Sequence, residues 1–232
     1  MMNRTILFSL VMFVFTIPVV AQNDSDWETK DYNMGEFSKV YLEGSYKVFL
    51  IQDKICGMTV KTTDEDVFDD IIVRNDGSEL KVKMDREWYN YDRINLYIRF
   101  SDLEKLKIEG GANVKTNGYL DLKDIFVHVE GGAKVELDLK ADDVKINGEG
   151  GVLFELDGVA NNLEVNISGA GHVDADDLKA KDVRFKIEGF GTGSVYATET
   201  LDANIQGVGK VRYKGDPKVT QYIDGLGSVK RD

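Results

Sequence analysis

The sequence predicts an all-β protein wound as a right-handed parallel β-helix, a solenoid with 18–21-residue coils and an irregular N-terminal part. Three observations point there. A glycine-centred unit recurs seven times along the second half of the chain. Each unit alternates polar and apolar residues with period two, the mark of a strand with one buried face. The spacing drifts, and this separates the pattern from other solenoids. No six-residue sub-period marks a left-handed hexapeptide helix, and no Gly-Gly-x-Gly-x-Asp block recurs every nine residues as a calcium-binding roll requires.

The chain has 232 residues, enough to bury a sizeable core, and at 42% hydrophobic and 10% aromatic it is neither disordered nor low-complexity. Its 29 Lys+Arg against 41 Asp+Glu give a net charge of −12, which argues against nucleic acid and anionic membrane surfaces as partners. A single cysteine excludes a disulfide framework and a multi-thiolate metal site.

Residues 1–21 read as a signal peptide. Arg4 supplies a positive start, Ile6 to Val20 is an apolar run, and Val19-Val20-Ala21 fits a cleavage site. The run is about 15 residues where a membrane span needs about 20. Cleavage after Ala21 leaves 211 residues at 28 − 41 = −13. The protein is therefore expected to be exported to the periplasm, cell surface or exterior, with no integral membrane segment afterwards. Cys56, beside the apolar stretch Val48 to Ile55, reads as a buried structural thiol.

Residues 22–232 read as one domain, since no Pro/Gly/Ser-rich linker divides them. Within it, 30–105 is the irregular first part. Val40, Leu42, Gly44, Tyr46, Val48 and Leu50 show the inward pattern once, around Glu43-Gly44. Thr63 followed by Asp64-Glu65-Asp66 reads as a helix start with an N-cap and acids in the first turn. Strands are expected at Leu80-Val82-Met84 and at Ile94-Leu96-Ile98-Phe100.

Residues 106–232 hold the regular coils. The unit runs from Glu109-Gly110-Gly111-Ala112-Asn113-Val114 to Asp224-Gly225-Leu226-Gly227-Ser228-Val229. Its first glycines stand at 110, 131, 150, 169, 189, 207 and 225. Two residues before them stand Ile108, Val129, Gly148, Ile167, Ile187, Ile205 and Ile223, with polar Lys107, His128, Asn147, Asn166, Lys186 and Asn204 between the apolar positions. Such a unit cannot bury its apolar face alone; stacked coils about 4.8 Å apart do. The first glycines are expected on the inward side, where a side chain collides with the neighbouring coil and only Gly or Ala fits.

Phe37-Ser38-Lys39-Val40-Tyr41-Leu42-Glu43-Gly44, the repeated Glu-Gly-Gly-Ala-x-Val units and the signal peptide together resemble the head GIN domain family, adhesin-labelled secreted proteins of Bacteroidetes-type bacteria. The likeness spans nearly the whole mature chain. It implies a right-handed β-helical fold and an extracytoplasmic place, and it brings no catalytic residues. A C-terminal membrane barrel, which a true autotransporter has, is not expected.

Few constellations carry chemistry. Glu109, Glu130 and Glu149 form a carboxylate ladder that is a weak cation-site candidate, because no Asp-rich loop completes a coordination shell; a solvated polar face is the plainer reading. Phe190, Val208 and Leu226 follow the last glycines and form a candidate interaction stripe if that column faces out. Trp88, Tyr89 and Tyr91 form a candidate sugar platform, with packing under their own loop the plainer reading. Asp142-Asp143 and Asp174, Asp176 and Asp177 read as solvated turns, and His128 with His172 makes no metal pair. No nucleophile elbow, zinc-protease motif or phosphate loop occurs.

The expected function is an exported, non-catalytic, adhesin-like binding protein of the cell surface or envelope, with no cofactor. A glycan or a surface protein is the expected partner. The alternatives are a polysaccharide lyase or pectinase-like enzyme, resting on fold analogy alone, and a self-associating structural envelope protein, a homo-oligomer.

Overall fold

The computed structural model describes residues 26–85 and 93–232. The described residues are all-β, with ten strands in one open sheet and a single short helix among them. The strands are β1 (Glu28–Asn33), β2 (Lys39–Gln52), β3 (Gly57–Thr62), β4 (Ile71–Asn75), β5 (Glu79–Met84), β6 (Ile94–Phe100), β7 (Lys105–Thr116), β8 (Leu120–Asp121), β9 (Asp124–Lys214) and β10 (Lys218–Arg231). The signal-peptide expectation and the Trp88, Tyr89 and Tyr91 platform fall outside the described residues.

The repeat builds a parallel ladder. β2 pairs with β7, β7 with β9 and β9 with β10, all parallel, with Gly44 on Gly110, Gly110 on Gly131 and Gly207 on Gly225. β9 is a 91-residue extended run that lies back on itself at the repeat spacing. Asn161 Nδ2 donates to Asp142 and Asn166 Nδ2 to Asn147, each 19 residues away, and Thr198 Oγ1 donates to the Ala180 carbonyl 18 residues away. The apolar columns predicted from alternation are the core: Ile108, Val129, Ile167, Ile187 and Ile205 are each at most 2% exposed. Burying each such side chain contributes about 1.5–3 kcal/mol.

Two expectations are corrected here. The sheet is mixed, not uniformly parallel: β1 on β3, β3 on β6 and β4 on β5 are antiparallel. Alternation reads the same in either direction, so the sequence cannot distinguish them. The first glycines are also not side-chain positions facing a tight interior. Gly44, Gly110, Gly131, Gly150, Gly169, Gly189, Gly207 and Gly225 all have positive φ, between +104° and +130°, and stack as corners. A Cβ on Gly131 would sit 2.3 Å from the Gly110 carbonyl oxygen, so the obstacle is backbone and even alanine is excluded. The crowded interior lies two residues later, where Cβ atoms on Gly171 and Gly191 would meet Ile167 and Ile187 side chains at 2.6 and 3.0 Å.

Strands β1 to β6 belong to the same sheet as the repeat. β5 pairs with the first half of β2 and β6 with its second half, on the side away from β7. The rung order is therefore β5 and β6, then β2, then β7, which is not chain order. The helix, α1 (Val67–Asp70), has only four residues. Its N-cap is Asp66, without a side-chain cap bond, and not Thr63. Instead Thr62 Oγ1 accepts from the Asp64 N–H at 3.1 Å, so the turn closes one residue early and the chain enters β4 at Ile71. Cys56 is buried, as expected, with its Sγ 3.9 Å from Ser101 Oγ.

Candidate functional site

The residues just after the corner glycines point outwards. Early in the stack they are Gly111, Gly132, Gly151 and Ala170, a shelf nearly without side chains; later they are Phe190, Val208 and Leu226. Phe190 is 66%, Val208 41% and Leu226 75% exposed, whereas the alternating inward columns of the Phe190 and Val208 rungs are buried. Leu226 pairs with Val208 across the β10–β9 ladder, and Gly207 stacks on Gly189, so the three side chains form one column. Beside them lies a depression of about 450 Å³ whose lining includes Ala170, Gly171, Phe190, Thr192 and Val208. A second depression of about 430 Å³, sharing Ala170 and Gly171, continues it over Gly151 and Gly132. His172 Nδ1 and Thr192 Oγ1, 2.7 Å apart, border the trough. The surface offers apolar contact and few hydrogen-bonding groups, so it can hold a ligand's carbon face.

The carboxylate ladder is a chain of ion pairs. Tyr41 donates its hydroxyl to Glu109 at 2.6 Å and to Glu43 at 2.8 Å. Lys83 holds Glu43, Lys107 lies 2.5 Å from Glu109 and 3.3 Å from Glu130, and His128 Nε2 meets Glu130 at 2.7 Å. These partners hold the carboxyl pKa values below the ordinary range: Lys83 chiefly for Glu43, Lys107 for Glu109, and His128 for Glu130. Burial, with the two carboxylates, pushes the Tyr41 hydroxyl far up. Glu149 lies farther along, in a cleft of about 300 Å³ with Asn166, Lys186 and Glu188. Glu109 and Glu130 already accept bonds from the chain's own donors, so metal coordination there would break existing pairs. Among the described residues no group of three or more His, Cys, Asp or Glu could hold a metal ion.

The acidic turns are tied across the repeat. Ser194 donates to Asp174 at 3.0 Å, and Lys214 reaches Asp176 at 3.0 Å. Sequence reasoning missed a polar groove of about 720 Å³ lined by Asp143, Lys145, Asn162, Glu164, Asp182 and Arg184, among others. Lys145 pairs with Glu164 at 2.8 Å there, and Asn162 donates to Asp143 at 2.5 Å. The available signal was the Asp-Asp at 142–143 followed 19 residues later by Asn161-Asn162.

Stacked parallel rungs with a glycine corner and an exposed apolar column define an all-β stacked-sheet protein. The chain belongs to the family described as "Putative auto-transporter adhesin, head GIN domain", whose model matches residues 36–217. Solved structures share the fold. A "putative adhesin" from Bacteroides fragilis is 23% identical with a TM-score of 0.78, covering 89% of this chain and 97% of its own. A "putative adhesin" from Parabacteroides merdae is 19% identical with a TM-score of 0.71, covering 90% and 97%. A "Putative lipid binding protein" from Parabacteroides distasonis is 23% identical with a TM-score of 0.68, covering 90% and 98%. No curated protein sequence matches. Among the described residues no helix is long and apolar enough to cross a membrane.

Proposed function

We propose that this chain is an exported, non-catalytic, adhesin-like binding protein of the cell surface or envelope, its regular coils wound as a right-handed β-helix. The observation that carries the reading is the stripe of Phe190, Val208 and Leu226, three exposed apolar side chains aligned in one column beside a trough floored by glycine and alanine. Family membership supports the adhesin reading and the exported location. Aromatic and aliphatic side chains beside a flat, side-chain-poor shelf suit the carbon face of a sugar ring or the apolar side chains of a surface protein. The lipid-binding name of one structural relative suits the same apolar trough.

The test is a binding screen of the purified protein against arrayed glycans, matrix proteins and lipid strips, repeated with Phe190→Ser, Leu226→Ser and Trp88→Ala. Binding that falls at least about tenfold with the first two, the effect of losing a central apolar contact, supports the stripe. Loss with Trp88→Ala alone moves the site to that residue. No binding across the screen contradicts the adhesin reading.

A further inference from the structure

The C-terminal face of the stack is the open cross-section of the core. Among the described residues, β10 stands at the end of the strand order and pairs only with β9. In β9, Leu201, Ala203, Ile205 and Val211 are at most 1% exposed. The residues directly over them in β10 are Val219, Gln221, Ile223 and Val229. Ile223, in a column otherwise sealed, is 36% exposed, and Val219 and Val229 are only partly covered. Fourteen residues of strand thus present both a free backbone edge and unfinished hydrophobic columns.

We propose that this face is closed by a second copy of the chain, β10 against β10, antiparallel about a two-fold axis. The geometry selects that arrangement. The outer strands at the other end of the sheet, β1 and β4, are short and antiparallel and do not continue the parallel ladder, so head-to-tail stacking lacks a matching surface. A two-fold pairing must set corner on corner, Gly225 opposite Gly225. Because Gly225 lies near the middle of β10, residues 219–231 then all find partners. Ile223 falls opposite Gly227, and Tyr222 opposite Ser228. Charge fits as well. Lys218 falls opposite Asp232, Lys230 opposite Thr220, and no like charges meet. Residues 218–232 carry Lys218, Lys230 and Arg231 against Asp224 and Asp232, a local excess of cations in a chain of net charge −12. This is where two acidic copies can approach.

The inference stands apart from the ligand reading, because its key side chain, Ile223, is not in the stripe. Sedimentation of the purified protein from about 1 µM to about 1 mM, a range that reports dimers of moderate affinity, is expected to show a monomer–dimer equilibrium. Ile223→Lys places a charge in the joint and is expected to weaken the dimer at least about tenfold. Its circular dichroism and melting temperature should stay near wild type, since the position is already partly exposed. Lys218→Asp and Asp232→Lys are each expected to weaken the dimer several-fold, and the double variant to restore it. A monomer throughout overturns the proposal. So does a dimer indifferent to Ile223→Lys, which must use another face, or one that the double charge reversal fails to restore, which has another register.

Discussion

The two ends of this stack are finished differently. At the N-terminal end, antiparallel β3 and β4 cover β6 and β5, and Met58, Val60, Leu80, Val82, Leu96 and Ile98 are fully buried. The outermost strand there, β1, has six residues and carries Glu28, Lys30 and Asp31. Short, charged edges discourage further pairing. At the C-terminal end, a 14-residue parallel strand stands uncovered, with Tyr222, Ile223 and Leu226 exposed. The same repeat unit is core in one rung and surface in the last. Among the described residues, antiparallel strands cover the first end of the stack, and β10 carries no strand on its outer side.

The contrast can be broken by glycine first. Gly131→Ala puts a Cβ against the Gly110 carbonyl at φ +130° inside the stack. It is expected to cost at least about 3 kcal/mol, read as a lower denaturant midpoint. Gly132→Ala, with no atom within 4 Å of the added Cβ, is expected to stay within about 0.5 kcal/mol of wild type. Equal losses at the two positions would refute the corner geometry.

The apolar columns come next. Ile205→Ala in the sealed rung is expected to cost about 2–5 kcal/mol, and Ile223→Ala in the last rung under about 1 kcal/mol, measured by chemical unfolding of the monomer. Similar values would mean that β10 is covered after all.

Charge gives the smallest effects, and they carry opposite signs. Glu43, Glu109 and Glu130 have lowered pKa values in the fold. Their contribution is present above the unfolded carboxylate range and lost as pH falls through the lowered values, below about pH 4. A melting temperature flat between pH 4 and 2 would contradict that pairing. Asp157 goes the other way: burial first, then Asp138 and Asp177, raises its pKa. Its protonated form is favoured by folding, so stability is lost as pH rises through the raised value. Asp157→Asn is expected to raise the melting temperature at neutral pH by about 1 °C and to change nothing at pH 3.

The core columns and the parallel stacking of the repeat were legible because both follow from local alternation and a fixed period. Gly44 as the first corner was visible too, but not the 66-residue detour to Gly110. β5 and β6 reach β2 through pairings that no periodicity encodes. The glycine role was misread because simple parity assumes negative φ, and at positive φ a Cβ would point at the neighbouring backbone. The Phe190, Val208 and Leu226 column could be assigned as exposed once the corner was known. The polar groove went unseen because its residues are brought together only by pairing across the repeat, as Asp143 is with Asn162.

Hydrogen–deuterium exchange on the dilute monomer tests the unequal ends most directly. Amides of β2 and β7 should exchange slowest, with protection falling through β9 to a minimum in β10. Protection in monomeric β10 equal to that in β7 would contradict the account.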